Sequence, residues 1–196
     1  MNQTPDPTPN QTPTKPRRQI RAADVWDFFK PSVIVLVVML LLFKGFLMLC
    51  TVPSASMEPT LPVRSAVLCG RLDYRFTQPQ RGDVVVFHWD QDGDARYFIK
   101  RLIALPGETV QITGGVTYID GQPLAEPWLT QPPLPLDFGP VTVPPDEYFF
   151  LGDNRNNSWD GRYWDDPFVP RQDLAARAWC SVHLRYGFRN LLRPAA

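Results

Sequence analysis

The chain has 196 residues, 20 basic and 20 acidic, and no net charge. That length holds one domain of ordinary size with an appendage, and the charge balance gives no reason to expect nucleic acid as a partner. Its 3 cysteines include no Cys-x-x-Cys pair and no histidine at ligand spacing, which argues against a zinc or other metal site, and nothing calls for a cofactor.

Met1–Pro16 is a Thr/Pro/Gln/Asn tract without apolar periodicity, and residues 1–22 are expected to form a disordered tail. Ser32–Phe43 then runs without a charge. Extended back through Trp26, Phe28 and Phe29 it reaches about the 20 residues that a bilayer core requires. Residues 23–48 are therefore predicted as a single transmembrane anchor, with Trp26 and the Phe pair at one interface and Lys44 reaching the other. A buried core helix would need a polar face that these residues lack. Lys15, Arg17, Arg18, Arg21 and Lys30 precede the span, which places the N-terminus in the cytoplasm and residues 49–196 outside. Ser54-Ala55-Ser56 also has the small-x-small pattern of a cleavable signal. The hydrophobic stretch is long and the basic residues begin far ahead of it, so an uncleaved anchor is preferred. A lipoprotein signal would want small residues where Met48 and Leu49 precede Cys50.

Beyond the anchor the segments alternate in strand-like fashion: Ala66–Cys69, Asp83–Phe87, Tyr97–Leu105, Glu108–Ile112, Val116–Ile119, Tyr148–Leu151 and Ala178–Leu184. Pro106-Gly107 and Asp120-Gly121 mark turns, the latter suited to a hairpin. Only Pro170–Ala176 resembles a helix, and a short one. Without strand–helix alternation a parallel sheet is excluded, leaving an antiparallel β-sandwich or barrel-like domain. Gln131–Pro145 holds too much proline for a central strand and reads as an extended surface loop. Cys69 and Cys180 fall on strand-like segments, as a disulfide in an oxidising compartment or as buried thiols.

Lys100 stands in the apolar run Tyr97-Phe98-Ile99-Lys100-Arg101-Leu102-Ile103. Desolvation there lowers the pKa of an ammonium, and a neutral amine near physiological pH is a usable general base. Upstream, Pro53-Ser54-Ala55-Ser56-Met57-Glu58-Pro59-Thr60-Leu61 offers serine nucleophiles, and a Ser–Lys pair needs no histidine. From the strand alone, the plainer account is a lysine that caps a strand end and reaches water.

Four segments follow in order: Ser54-x-Ser56-Met57-x-Pro59-Thr60-Leu61, Arg81-Gly82-Asp83-Val84-Val85-Val86-Phe87, Ile99–Glu108, and Gly152-Asp153-Asn154-Arg155-Asn156-Asn157-Ser158-Trp159-Asp160-Gly161-Arg162. Behind an N-terminal anchor, this order resembles the bacterial type I signal peptidases, over about residues 30–185. Each box alone is weakly diagnostic; together they are specific. The resemblance implies a membrane serine endopeptidase that removes signal peptides from exported preproteins after small-x-small (Ala-x-Ala) sites, at the outer face of the bacterial cytoplasmic membrane. Its partners would be the signal peptides of secreted preproteins and the lipid bilayer, and the chain would be a monomer.

By the same resemblance, Ser56 is the nucleophile and Lys100 the base, and the Ser56 N–H with the Ser54 hydroxyl forms the oxyanion hole. Ser158 orients Lys100, and Met57 packs beside it. Arg101 with Asp153 and Asp160 with Arg162 form structural ion pairs, while Asn154 and Arg155 support the site. Gly161 stands where many members have Ser, Asp165 where Gly is frequent, and Phe98 where Tyr is common. The small insertion between Gly114 and Pro145 suits a compact branch of the family. His88 and His183 lie outside the matching segments and read as structural. Two rivals remain: a specialised Ser–Lys processing peptidase of a pilus or conjugation system, and a non-catalytic anchored β-domain that binds peptides or envelope components.

Overall fold

The computed structural model describes residues 22–90 and 96–192; the tail expected over residues 1–22 lies, apart from Ala22, outside them. Helix α1 spans Ala22–Phe46. Its stretch Trp26–Phe46 has a mean hydropathy of 2.0 and is, among the described residues, the one helix long and apolar enough to cross a membrane. From Ser32 to Phe43 its sequence carries no charged residue and so offers no polar face.

The next two residues of the expected anchor, Leu47 and Met48, belong to strand β1 (Leu47–Thr51). After it come β2 (Ala66–Gly70), a short α2 (Asp73–Phe76), β3 (Val84–Trp89) and β4 (Arg96–Ala104). Then follow β5 (Thr109–Thr113), β6 (Val116–Ile119), β7 (Gln122–Pro123) and β8 (Phe138–Thr142). The last strands are β9 (Glu147–Leu151), β10 (Phe168–Pro170), β11 (Leu174–His183) and β12 (Gly187–Asn190). An eight-stranded sheet has the order β1-β2-β11-β3-β4-β9-β10 with β12 beside β11, and a four-stranded sheet has the order β7-β6-β5-β8. The pairings are antiparallel throughout, so the mainly β, antiparallel fold class is the one observed.

The unbroken apolar run of β3 has a physical cause: Val84 and Val86 pack into one core cluster, while Val85 and Phe87 pack into another. A strand covered on both faces loses the polar alternation of a half-exposed one. Its partner β4 sets Lys100 opposite Val85 and Arg101 opposite Val84, and on the other side Arg101 opposite Leu151 of β9. This register sets the lysine strand directly beside β9, the strand that runs into the Gly152–Arg162 loop. The Asp120-Gly121 hairpin forms as expected, with φ of 50° and 76°, the left-handed values of the tight turn that suits strand twist.

Two further segments differ from expectation. Pro170–Ala176 is not a helix: Pro170 ends β10, Arg171–Asp173 make one 3-10 turn, and Leu174 begins β11. The alanines there have strong helix propensity, but Ala176 and Ala178 are buried at period two in the core, and tertiary packing overrides a weak local preference. Within the Pro-rich loop, Phe138–Thr142 forms β8, which pairs with β5 alone. Pro140 is tolerated there because an edge strand has one free side. All three cysteines are free; Cys50 Sγ is 3.7 Å from Cys69 Sγ, and the Cys50 thiol together with burial pushes Cys69 well up.

Candidate active site

The turn carrying the serines leaves β1 at Val52 and returns at Ser65. Val52 N donates to Ser65 O at 3.0 Å and Arg64 N to Val52 O at 2.8 Å, which closes the loop. Inside it Ala55–Met57 make one 3-10 turn, and Leu61 N donates to Met57 O at 2.8 Å. Met57 and Leu61 are fully buried in the core formed with Val67, Val84 and Val86. These two apolar pegs fix the turn between them, leaving Ser54 exposed and Ser56 at its buried edge. The two hydroxyl oxygens lie 3.3 Å apart.

Lys100 is 2% exposed, and its Nζ donates to Ser158 Oγ at 3.0 Å. The plain strand-cap reading does not describe it, because the ammonium does not reach water. Burial is the main cause that lowers its pKa to about 8, from an ordinary value of 10.5; Asp160 and Asp153 oppose the shift and Arg162 adds to it. A lysine in this position is neutral in a substantial fraction near pH 8 and can serve as a base there.

Gly152 brings the remaining segment close. A Cβ built on it would lie 2.2 Å from Ser158 Oγ and 2.5 Å from the Ser56 carbonyl oxygen, so a residue with a side chain could not stand between them. The same loop clasps the serine turn directly. Asn154 N donates to Ser56 O at 3.0 Å, and Asn154 Nδ2 to Ala55 O at 3.1 Å. Two bonded sets, Ser54, Ser56 and Asn154 on one side and Lys100 with Ser158 on the other, thus meet at Gly152, although they come from three separate stretches of sequence.

The charged residues form the frame. Arg101 grips Asp153 with two bonds, Nε to Oδ1 at 2.7 Å and Nη2 to Oδ2 at 2.6 Å. It also donates from Nη1 to Gly82 O at 2.7 Å, and its cation lies 4.5 Å from the Trp128 ring centre. Arg162 grips Asp160 in the same bidentate way, at 2.8 and 2.9 Å, and Asp160 Oδ2 accepts from Gly152 N at 2.9 Å. Such forked, charge-assisted pairs fix orientation as well as energy. Arg155 is buried and bonds Glu126, Thr117 and Gly152 O.

Sequence reasoning passed over Glu126, Thr117 and Trp128. They belong to the small sheet's segments, and no local motif marks them. The histidines are engaged elsewhere: His183 Nε2 lies 3.2 Å from Val63 O, its Nδ1 accepts from Arg185 N at 3.1 Å, and the His88 ring packs edge-on against Tyr97.

The sequence matches the family model described as signal peptidase, peptidase S26, over residues 25–182. It is 47% identical over 133 residues to the signal peptidase I of Leptolyngbya laminosa, covering 65% of this chain and 64% of that one. It is 44% identical to the probable signal peptidase I-2 of Synechocystis sp., covering 65% and 59%. With the probable signal peptidase I-1 of the same organism it shares 40% identity over 78% and 82% of the two chains. The match thus spans a little under two thirds of the length of the first two relatives. The family match takes in the serine turn, the lysine strand and the loop that closes on both, and the chain belongs to the signal peptidase family, peptidase S26.

Proposed function

We propose that the chain is a membrane-anchored serine endopeptidase that removes signal peptides, with Ser56 as nucleophile and Lys100 as general base. The observation that carries this reading is the buried Lys100, held by Ser158 at 3.0 Å with its pKa lowered to about 8, beside a serine turn pegged into the core.

A neutral lysine held in this way has a lone pair to spare while one N–H is taken up by Ser158. It accepts the Ser56 hydroxyl proton as Oγ attacks the scissile carbonyl. The tetrahedral oxyanion is met by the Ser56 N–H and the Ser54 hydroxyl, donors worth roughly 3–4 kcal/mol each when aimed at developing charge. Collapse breaks the C–N bond, and the lysine passes its proton to the leaving amine. Water, deprotonated by the same lysine, then attacks the acyl-serine ester, and the lysine returns that proton to Ser56 Oγ as the acid leaves. Met57 excludes water from the lysine, while Asp153, Asp160 and their arginines hold the loop in place.

Substrates are preproteins carrying small residues at the two positions that enter shallow apolar pockets beside Ser54 and Phe98. With α1 in the bilayer and the basic residues on the cytoplasmic side, the catalytic domain faces outward, where a substrate's own apolar segment is held in the same membrane. Incubating the detergent-solubilised protein with a preprotein and weighing the products tests the reading. Wild type should release the signal peptide after a small-x-small site, and Ser56→Ala and Lys100→Ala should not. Activity of either variant within about tenfold of wild type would end the assignment.

A further inference from the structure

Glu126 follows β7, outside every motif of the sequence, yet it reaches the catalytic loop. Arg155 Nη1 donates to Glu126 Oε2 at 2.9 Å and Arg155 Nη2 to Glu126 Oε1, and the two side chains are 3% and 7% exposed. Thr117 of β6 accepts from the same Nη1 at 3.1 Å. The other contacts of Arg155 stay within the loop: Nε donates to Gly152 O at 3.2 Å, and its own carbonyl accepts from Arg162 Nη2 at 2.9 Å. Among the described residues, Glu126 supplies the one carboxylate recorded on this guanidinium.

We propose that Glu126 is a positioning residue of the active site: by fixing Arg155 from the small sheet's side, it sets where Ser158 and Asn154 stand against Lys100 and Ser56. This rests on the Ser56–Lys100 reading above. Arg155 opens the 3-10 turn Arg155–Asn157 that leads directly into Ser158, and Asn154 precedes it. A buried guanidinium without its carboxylate is strongly disfavoured and turns toward water. Its movement would drag the turn, loosening both the Ser158 hydroxyl on Lys100 and the Asn154 bonds to the serine turn. Arg162 would lose part of its seat as well, through the Arg155 carbonyl. Asp160, Arg162 and Asp153 are the charges that act on Lys100 directly, and Glu126 reaches two of them through this chain: Arg162, and Asp160 behind it.

The test compares wild type, Ser56→Ala, Glu126→Gln, Arg155→Gln and the double variant Glu126→Gln/Arg155→Gln on one preprotein, with kcat, KM and the pH dependence of kcat/KM. Glu126→Gln keeps the shape and removes the charge. It should lower kcat by about tenfold or more with KM nearly unchanged. The acidic limb should move to lower pH, because a cation is left unneutralised next to the site. The double variant, neutral again, should move that limb back toward wild type, and its loss should fall short of the product of the single losses. A Glu126→Gln protein that melts at lower temperature but keeps the wild-type kcat and limb would overturn the proposal. Retained activity in Ser56→Ala would instead bring down the underlying reading, so the two failures are distinguishable.

Discussion

The turn that carries Ser56 is pegged by packing, whereas the loop that closes over Lys100 is tied by charge. On the serine side Met57 and Leu61 are both fully buried, and between Val52 and Ser65 the described residues contain no ion pair. On the lysine side Arg101–Asp153, Arg162–Asp160 and Arg155–Glu126 surround the Gly152–Arg162 loop, each partner 7% exposed or less. Apolar packing is non-directional and degrades in proportion to the volume removed. A buried ion pair is directional, and losing one partner leaves the other charge uncompensated. Ser56 is thus held by a compliant seat and Lys100 by a stiff one. The stiff frame suits the lysine, because small changes in the charges around it alter its protonation.

The largest effects should come from the two residues that the two seats present. Ser56→Ala and Lys100→Ala should each lower kcat/KM by about 10⁴-fold or more, as loss of a member of a catalytic unit does. Lys100→Arg should fail as completely, since guanidinium keeps its proton at accessible pH. Next comes Ser54→Ala, expected to lower kcat by roughly 10²–10³ with little change in KM, the pattern of a contact made in the transition state. A rise in KM alone, read from initial rates, would move Ser54 from the oxyanion to substrate binding.

Paired substitutions sharpen the contrast between seats. Asp160→Asn leaves Arg162 buried and unpaired and should cost about 3–5 kcal/mol of stability. It should also shift the acidic limb downward, because Asp160 is the carboxylate that most opposes deprotonation of Lys100. Met57→Ala should cost a comparable 2–5 kcal/mol through the cavity it leaves, without removing a charge. Thermal melts and pH profiles of both variants read this directly; equal limb shifts would erase the distinction between the seats.

Much of the site was legible because chemistry confines it to short stretches. The serine turn, the lysine strand and the Gly152–Arg162 loop each carry their residues within a dozen positions, and the ion pairs that the resemblance implied, Arg101–Asp153 and Asp160–Arg162, are present. Strands such as β3 and β4 announced themselves by apolar content. What stayed hidden depends on distant partners. Glu126 meets Arg155 across a separation of 29 residues, and neither its neighbours Ala125 and Pro127 nor any spacing signals the pairing. β1 was hidden because the apolar composition of α1 runs on into Leu47–Cys50, and only pairing with β2 turns those residues into a strand. The alanines after Pro170 misled for a similar reason, their sheet register being set by β3 and β2.

A smaller effect concerns stability. A buried lysine with a folded pKa of about 8 destabilises the protein at neutral pH, because the unfolded chain binds the proton more readily. Lys100→Met should therefore be more stable than wild type by up to about 3 kcal/mol below pH 8. That advantage should shrink as pH rises from about 8 toward the ordinary lysine value, where wild-type Lys100 is neutral in both states. A constant difference across this range in denaturant titrations would mean that Lys100 is charged and compensated in the fold.

The claim on which all of this turns is that Lys100 works as the base, and the pH dependence of kcat/KM tests it most directly. Activity should be carried by the neutral amine, rising with pH through a limb near 8 and falling away below it. The limb should persist in His88→Asn and His183→Asn. A limb near the ordinary histidine value that vanishes in either histidine variant would contradict the assignment of Lys100.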